Sequence, residues 1–137
     1  MTLTLPTAIA DAIQEHARAG APEEIVGILA GHRENGNSTV TRAYRATNAA
    51  KRPRTRYEIA PQMELELLDR IDDAGLETVG FYHSHPKGPI EPSETDAELA
   101  AWPGYSYVIV SLGSDRPEIG SWRWRGDRFE REPVWIE

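Results

Sequence analysis

No cysteine occurs anywhere in the 137 residues. That absence removes disulfides, thiolate nucleophiles, iron–sulfur clusters and every zinc site built on sulfur, so a metal here must be held by nitrogen and oxygen. Histidine is scarce as well, with four residues, and a histidine-based centre has few candidates. Lysine is nearly missing: Lys51 and Lys87 are the only two, and arginine carries the remaining positive charge. Fifteen basic against 22 acidic residues leave a formal net charge of −7. Nucleic-acid binding depends on clustered cations that displace counterions, so this balance predicts no nucleic-acid partner. No apolar run approaches the roughly 18 residues of a membrane span. Residues 1–6 lack a charged leader pattern, and the expectation is a soluble, cytoplasmic chain without a membrane role. Its length suits one domain, 1–137, and no repeat, linker or low-complexity stretch divides it.

The elements follow from periodicity. Ile9, Ala12, Ile13 and Ala17 recur at helical spacing between Pro6 and Gly20, which predicts an amphipathic helix with a glycine stop. The run Ile25 to Gly31 is too short and too β-branched for a helix and reads as a buried strand, turned by Asn35-Gly36 into a second strand over 38–45. After an arginine-rich loop, Tyr57-Glu58-Ile59 reads as a short strand, and a helix from Pro61 to about Ala74 carries Met63, Leu67 and Ile71 on one stripe. A strand over 78–84 ends in His-Ser-His, a proline-rich loop follows, and a third helix is expected from Ser93 to Trp102. Strands over 105–112, 118–124 and 128–132 complete the chain. The order predicts an α/β or α+β fold, a single mixed sheet flanked by helices. Trp122, Trp124 and Trp135 are expected in its core, and His16 and His32 at its surface.

The chemistry concentrates in His83, His85, Ser93 and Asp96. Residues two apart on a strand point to one face, so His83 and His85 can aim both imidazoles at one point beyond the strand end. Asp96 lies in the first turn of the next helix, and prolines at 86, 89 and 92 limit the freedom of the loop that presents it. Two imidazoles and a carboxylate suit Zn²⁺ in a tetrahedral site with one position open, the arrangement of a catalytic centre. Such a centre needs a carboxylate to move the proton of a bound water, and Glu23 and Glu24, at the mouth of the buried strand, are both candidates. Ser93 to Asp96 also forms a plain helix-capping pattern. A barrel amidohydrolase, another user of His-x-His, needs about 250 residues, more than this chain has.

The spacing resembles the JAMM (MPN+, Mov34-type) metalloproteases. That family carries His-x-His, seven residues, Ser, two residues and Asp. Here His83-Ser84-His85 precede residues 86–92, then Ser93 and Asp96. Residues 22–31, Pro-Glu-Glu-Ile-Val-Gly-Ile-Leu-Ala-Gly, are similar to the upstream family pattern apart from the Ile28-Leu29 order, and Tyr57-Glu58-Ile59 before Pro61 resembles the approach to the family's central helix. The resemblance covers Pro22 to about Leu112 and implies a fold like that of the cytidine deaminases. It selects Glu24 over Glu23 as the general base, makes His83, His85 and Asp96 the ligands of one zinc ion, and gives Ser93 the role of hydrogen-bonding the oxyanion. It implies an isopeptidase or peptidase that cuts after the C-terminal Gly-Gly of a ubiquitin-like protein, in a compact prokaryotic form. A hydrolase that processes a sulfur-carrier protein, or a non-catalytic assembly subunit of the same fold, are the alternatives. The cations Lys51, Arg52, Arg54 and Arg56 can be read as steering an acidic modifier or as a solvated loop, and Trp102 as a residue beside the site.

Overall fold

The run from Val26 to Ala30 is apolar on both of its faces, and a strand of that kind needs a layer packed on each side. The computed structural model, which describes residues 1–137, supplies both layers. The elements in order are β1 (Leu3–Leu5), α1 (Thr7–Gly20), β2 (Val26–Glu34), β3 (Asn37–Ala46), α2 (Pro61–Asp73), β4 (Glu77–His85), α3 (Glu94–Leu99), β5 (Ser106–Ser111), β6 (Glu118–Trp124), β7 (Phe129–Glu132) and β8 (Val134–Ile136). The strands form one eight-stranded sheet in the order β7-β6-β5-β4-β2-β3-β1-β8. It is mixed: β4 runs parallel to β5, and β1 parallel to both β3 and β8, while the other neighbours are antiparallel. The predicted mixed α/β fold is therefore the observed one.

On one face α1 packs Ala10, Ile13 and Ala17 against Leu5, Leu29, Val40 and Val108. On the other, α2 packs Leu67 and Ile71 against Val26, Ile28, Phe81 and Tyr107. Two bulges adjust which residues face which layer. Opposite β2, Leu29 pairs with Gly80 but Ala30 with Thr78, so Val79 is an extra residue in β4. Thr41 is the corresponding extra residue in β3. Beyond Val79 the alternation puts Phe81 under α2 and Tyr82 under α1. Gly80 is needed where β4 and β5 meet, because a Cβ there would run into the Ser106 carbonyl oxygen.

The sheet also curls. Arg123 on β6, buried at 3% exposure, donates through Nη2 to the Gly36 carbonyl at 2.8 Å, next to the start of β3, although β5, β4 and β2 separate these strands in the sheet. Its Nε donates to Glu132 Oε2 at 2.6 Å, and the Ser106 and Ser121 hydroxyls donate to Glu132 Oε1 at 2.6 and 2.7 Å. A buried ion pair saturated with hydrogen bonds thus ties the two arms of the sheet together.

Several sequence expectations need correction. β1 and β8, three residues each, were not expected. Tyr57-Glu58-Ile59 is not a strand: the Glu58 amide is taken by the side chain of Asn48 at 3.1 Å instead of by a neighbouring strand. The third helix stops at Leu99 instead of Trp102, because the amides of Ala101 and Trp102 donate to the Tyr107 hydroxyl at 3.2 and 3.1 Å and leave the helical ladder. His16 is half-buried, with Nδ1 2.9 Å from the Tyr82 hydroxyl. Trp122 and Trp124 lie in the core, but Trp135 is 59% exposed on the edge strand β8.

Candidate metal centre

β4 runs between β2 and β5 and ends at His85. Its last five residues are all buried, and strand alternation sends Phe81, His83 and His85 to the α2 side. The ring of Tyr57 stacks on that of His83, with centroids 4.2 Å apart and planes 19° from parallel. His85 is oriented by the loop that follows it. Its Nδ1 donates to the Pro89 carbonyl oxygen at 2.7 Å, which turns Nε2 inward, the usual way a ligating histidine is held. The loop itself is anchored by the Ser111 hydroxyl, which donates to the Gly88 carbonyl at 2.8 Å.

Asp96 arrives through a capping box. The Ser93 hydroxyl accepts from the Asp96 amide at 3.0 Å, and the Asp96 carboxylate accepts from the Ser93 amide at 2.9 Å. The capping pattern and the proposed metal site therefore share Asp96 and the same oxygen of it, Oδ2. Asp96 Oδ2 lies 2.9 Å from His85 Nε2 and 3.2 Å from His83 Nε2, and the two nitrogens are 3.3 Å apart. All three residues are buried. A tetrahedral zinc ion with bonds of about 2.0–2.1 Å sets its donors about 3.4 Å apart, so the observed triangle of 2.9–3.3 Å is close to the size the ion needs. Of the three donor residues, His85 lines the neighbouring cleft.

The charges are consistent with a cation at this point. Burial works against ionisation of Asp96, but hydrogen bonds from His83 and His85 outweigh it and hold the carboxyl well below its usual range. Burial lowers the pKa of His83. For His85 burial acts in the same direction, and the hydrogen bonds to Asp96 and to Pro89 overcome it and raise the pKa. Nδ1 of His85 faces the Pro89 carbonyl and Nε2 faces Asp96, so Nε2 is the nitrogen turned towards the donor set.

Glu24 is 6% exposed, and its Oε1 has no hydrogen-bond partner. Burial first, and then the Asp96 charge, push its carboxyl up to about 7, with His85 partly offsetting them. Glu23, the other candidate, is exposed. Glu24, His85 and Ser93 line one cleft of about 610 Å³, together with the prolines Pro22, Pro86, Pro89 and Pro92. Arg54 and Thr55 of one loop and Lys87 and Gly88 of another also line it. Of the basic loop only Arg54 lines the cleft; Arg56 reaches towards Glu98 at 3.8 Å. Trp102 does not line this cleft; it packs edge-on against Phe81.

Three contributors were not apparent in the sequence. Ser84 points away from the histidines, accepts from the Ile25 amide at 2.9 Å and donates its own amide to the Ile25 carbonyl at 3.2 Å, so it ties the Glu24 segment to β4. Strand alternation between two inward histidines was the signal that its side chain faces elsewhere. Tyr57 and Asn48 join the site from more than 20 residues away in sequence; Tyr57 stands in a segment that the resemblance marks, without a role, and Asn48 leaves no local signal.

A mixed sheet that ends a buried strand in two histidines, joined by a helix-borne aspartate, defines a class of compact metal-dependent hydrolases. The chain belongs to the prokaryotic homologs of the JAB domain, whose family model matches residues 6–125, and it is a hydrolase of the JAMM type. It is 41% identical to a desampylase of Haloferax volcanii over 98% of this chain and 96% of that protein. It is 34% identical to a CysO-cysteine peptidase of Mycobacterium tuberculosis over 96% of this chain and 89% of that protein. A solution structure of a protein from Desulfitobacterium hafniense superposes with a TM-score of 0.90 at 29% identity, covering 98% of this chain and 92% of the other. No helix is long and apolar enough to cross a membrane.

Proposed function

We propose that the protein is a zinc-dependent isopeptidase that removes a ubiquitin-like modifier by cutting the bond after its C-terminal Gly-Gly. The observation that carries this reading is the convergence of His83 Nε2, His85 Nε2 and Asp96 Oδ2 within 3.3 Å of one another, beside a buried carboxylate with an unpartnered oxygen, Glu24. Its similarity to a desampylase over nearly the whole of both chains points to the same chemistry. A cytoplasmic location goes with it, since a chain without cysteine carries none of the disulfides common in exported proteins.

In this mechanism His83, His85 and Asp96 would hold the zinc ion, which would polarise the scissile carbonyl and acidify a water molecule. Glu24 takes the proton from the attacking water and passes it to the departing amine, a task suited to a buried carboxylate with an unpartnered oxygen. Ser93 Oγ accepts from the Asp96 amide, which leaves its own hydrogen free to donate to the carbonyl oxygen as negative charge develops there. The cleft walls, made of Pro22, Pro86, Gly88 and Pro89 together with polar residues, suit an extended, side-chain-poor tail such as Gly-Gly.

A second reading, processing of a small adduct of a sulfur-carrier protein, is favoured by the similarity to a CysO-cysteine peptidase. One experiment separates the two and tests both. The zinc-loaded protein is incubated with the host's Gly-Gly-terminated small proteins, joined either to a lysine side chain or to a single amino acid. Cleavage of the lysine conjugate, lost in Glu24→Gln and on chelation, is expected. Cleavage of the amino-acid adduct alone supports the second reading. Zinc-free protein of undiminished activity, or a fully active Glu24→Gln variant, refutes the catalytic assignment.

A further inference from the structure

The Glu24 carboxylate has no hydrogen-bond partner at Oε1, so its place is set by its backbone and by packing rather than by contacts at that oxygen. Four hydrogen bonds fix that backbone. The Glu24 amide donates to the Pro53 carbonyl at 2.6 Å, and the Glu24 carbonyl accepts from Asn48 Nδ2 at 2.8 Å. The next residue, Ile25, is joined at both its amide and its carbonyl to Ser84. Two of these four contacts come from the segment around residues 48–58, which is neither helix nor strand.

That segment is organised by one side chain. Besides the Glu24 carbonyl, Asn48 Nδ2 donates to the Arg56 carbonyl at 2.8 Å and lies 3.5 Å from the Pro53 carbonyl oxygen. Asn48 Oδ1 accepts from the amides of Ala50 at 3.0 Å and Glu58 at 3.1 Å. A primary amide has two donor hydrogens and two acceptor lone pairs, and Asn48 uses all of its capacity here. The loop it shapes carries Pro53, which holds the Glu24 amide, Arg54, which lines the cleft, and Tyr57, which stacks on His83.

We infer that Asn48 is a positioning residue for Glu24: it joins the general base to the loop on the cleft wall and holds the carboxylate at its working place. The inference rests on the catalytic role proposed above for Glu24. Aspartate at this position keeps the acceptor contacts to Ala50 and Glu58 but has no hydrogen to give the Glu24 and Arg56 carbonyls, so it isolates the arm that reaches Glu24. A displacement of about 1 Å in a group that must meet the attacking water lowers turnover by up to about a hundredfold.

The test measures kcat, KM, zinc content and melting temperature for wild type, Asn48→Ala, Asn48→Asp and Ile13→Ala, on the lysine conjugate defined above, well below every melting temperature. Both Asn48 variants are expected to bind one zinc per chain and to lose tenfold to a hundredfold in kcat, with a smaller change in KM. Ile13→Ala, in the core under α1, is expected to lose stability but keep its kcat per zinc-loaded molecule, which shows that lower stability alone does not produce the effect. In a Glu24→Asp background, whose carboxylate is already displaced, Asn48→Ala is expected to cause a much smaller further loss. Unchanged kcat in a folded, zinc-loaded Asn48→Asp protein overturns the inference, as does a full multiplicative loss in the Glu24→Asp background. An active Glu24→Gln protein refutes the underlying mechanism instead, so the two failures are distinct. If Asn48→Ala does not fold, Asn48→Asp carries the test.

Discussion

Replacing Asp96 by asparagine tests the metal centre with little change in shape. The amide oxygen can still accept from the Ser93 amide, and the Ser93 hydroxyl can still accept from residue 96, so both arms of the capping box survive. What disappears is the anion that faces two imidazole nitrogens at 2.9 and 3.2 Å. A ligand that binds only the folded chain stabilises it by about 2.7 kcal/mol when its free concentration is 100 times its dissociation constant. An unfolding entropy of about 2.1 cal/mol/K per residue gives 137 residues about 0.29 kcal/mol/K, so zinc at that excess should raise the melting temperature of the wild type by about 9 °C. Thermal melts of chelator-stripped protein, with and without zinc, measure the rise directly, and metal analysis counts the bound ion. Asp96→Asn should show little of it. Magnesium should not replace zinc in the wild type, because a donor set with two imidazoles does not suit a hard, octahedral ion. An undiminished rise in the Asp96→Asn protein, with one zinc still bound, would refute the ligand set.

Other perturbations report on the frame around the centre. Ser84→Ala leaves the buried Ile25 amide without its acceptor at 2.9 Å, which should cost about 1–3 kcal/mol and appear as a lower denaturation midpoint. Glu132→Ala strands the buried Arg123 guanidinium and two serine hydroxyls; a loss of about 3–5 kcal/mol is expected from chemical denaturation, and a loss below 1 kcal/mol would show that the network does not tie the sheet arms together. His16 is half-buried, and burial first, then Arg45, lower its pKa from 6.5 to about 4. The unfolded chain therefore takes up this proton before the folded one does, and the stability linked to it is complete above about pH 6.5 and falls as the pH drops through about 4. His16→Gln keeps a partner for Tyr82 and should flatten that part of the pH profile; identical profiles for variant and wild type would sink the assignment.

The elements that announced themselves in the sequence were those whose partners are local or whose apolar pattern is long. α1, α2 and the strand leading to His85 are of this kind, and so is the capping box, which lies within four residues. The histidine pair was legible because strand alternation needs no knowledge of the rest of the fold. The misses share the opposite property. β1 and β8 are too short to show a period and exist because each completes a neighbour's hydrogen bonds. Tyr57-Glu58-Ile59 has the composition of a strand, but a side chain occupies the place of a partner strand. Arg123 and Glu132 lie on neighbouring strands, and their burial as a pair depends on the curl of the sheet, which no local pattern shows. The extra residue Val79 shifts the alternation of β4 without any mark in the sequence.

The bond from His85 to the Pro89 carbonyl has one more consequence. It depends on the path of the backbone through residues 86–92 and not on any side chain there. Lys87 and Glu91, which stand on the cleft wall, can therefore be exchanged without disturbing the imidazole, provided the loop keeps its course. Under the proposed function, the side chains of this loop would bear on substrate preference and its backbone on the imidazole, so selection or design could retune the first while the second stays fixed.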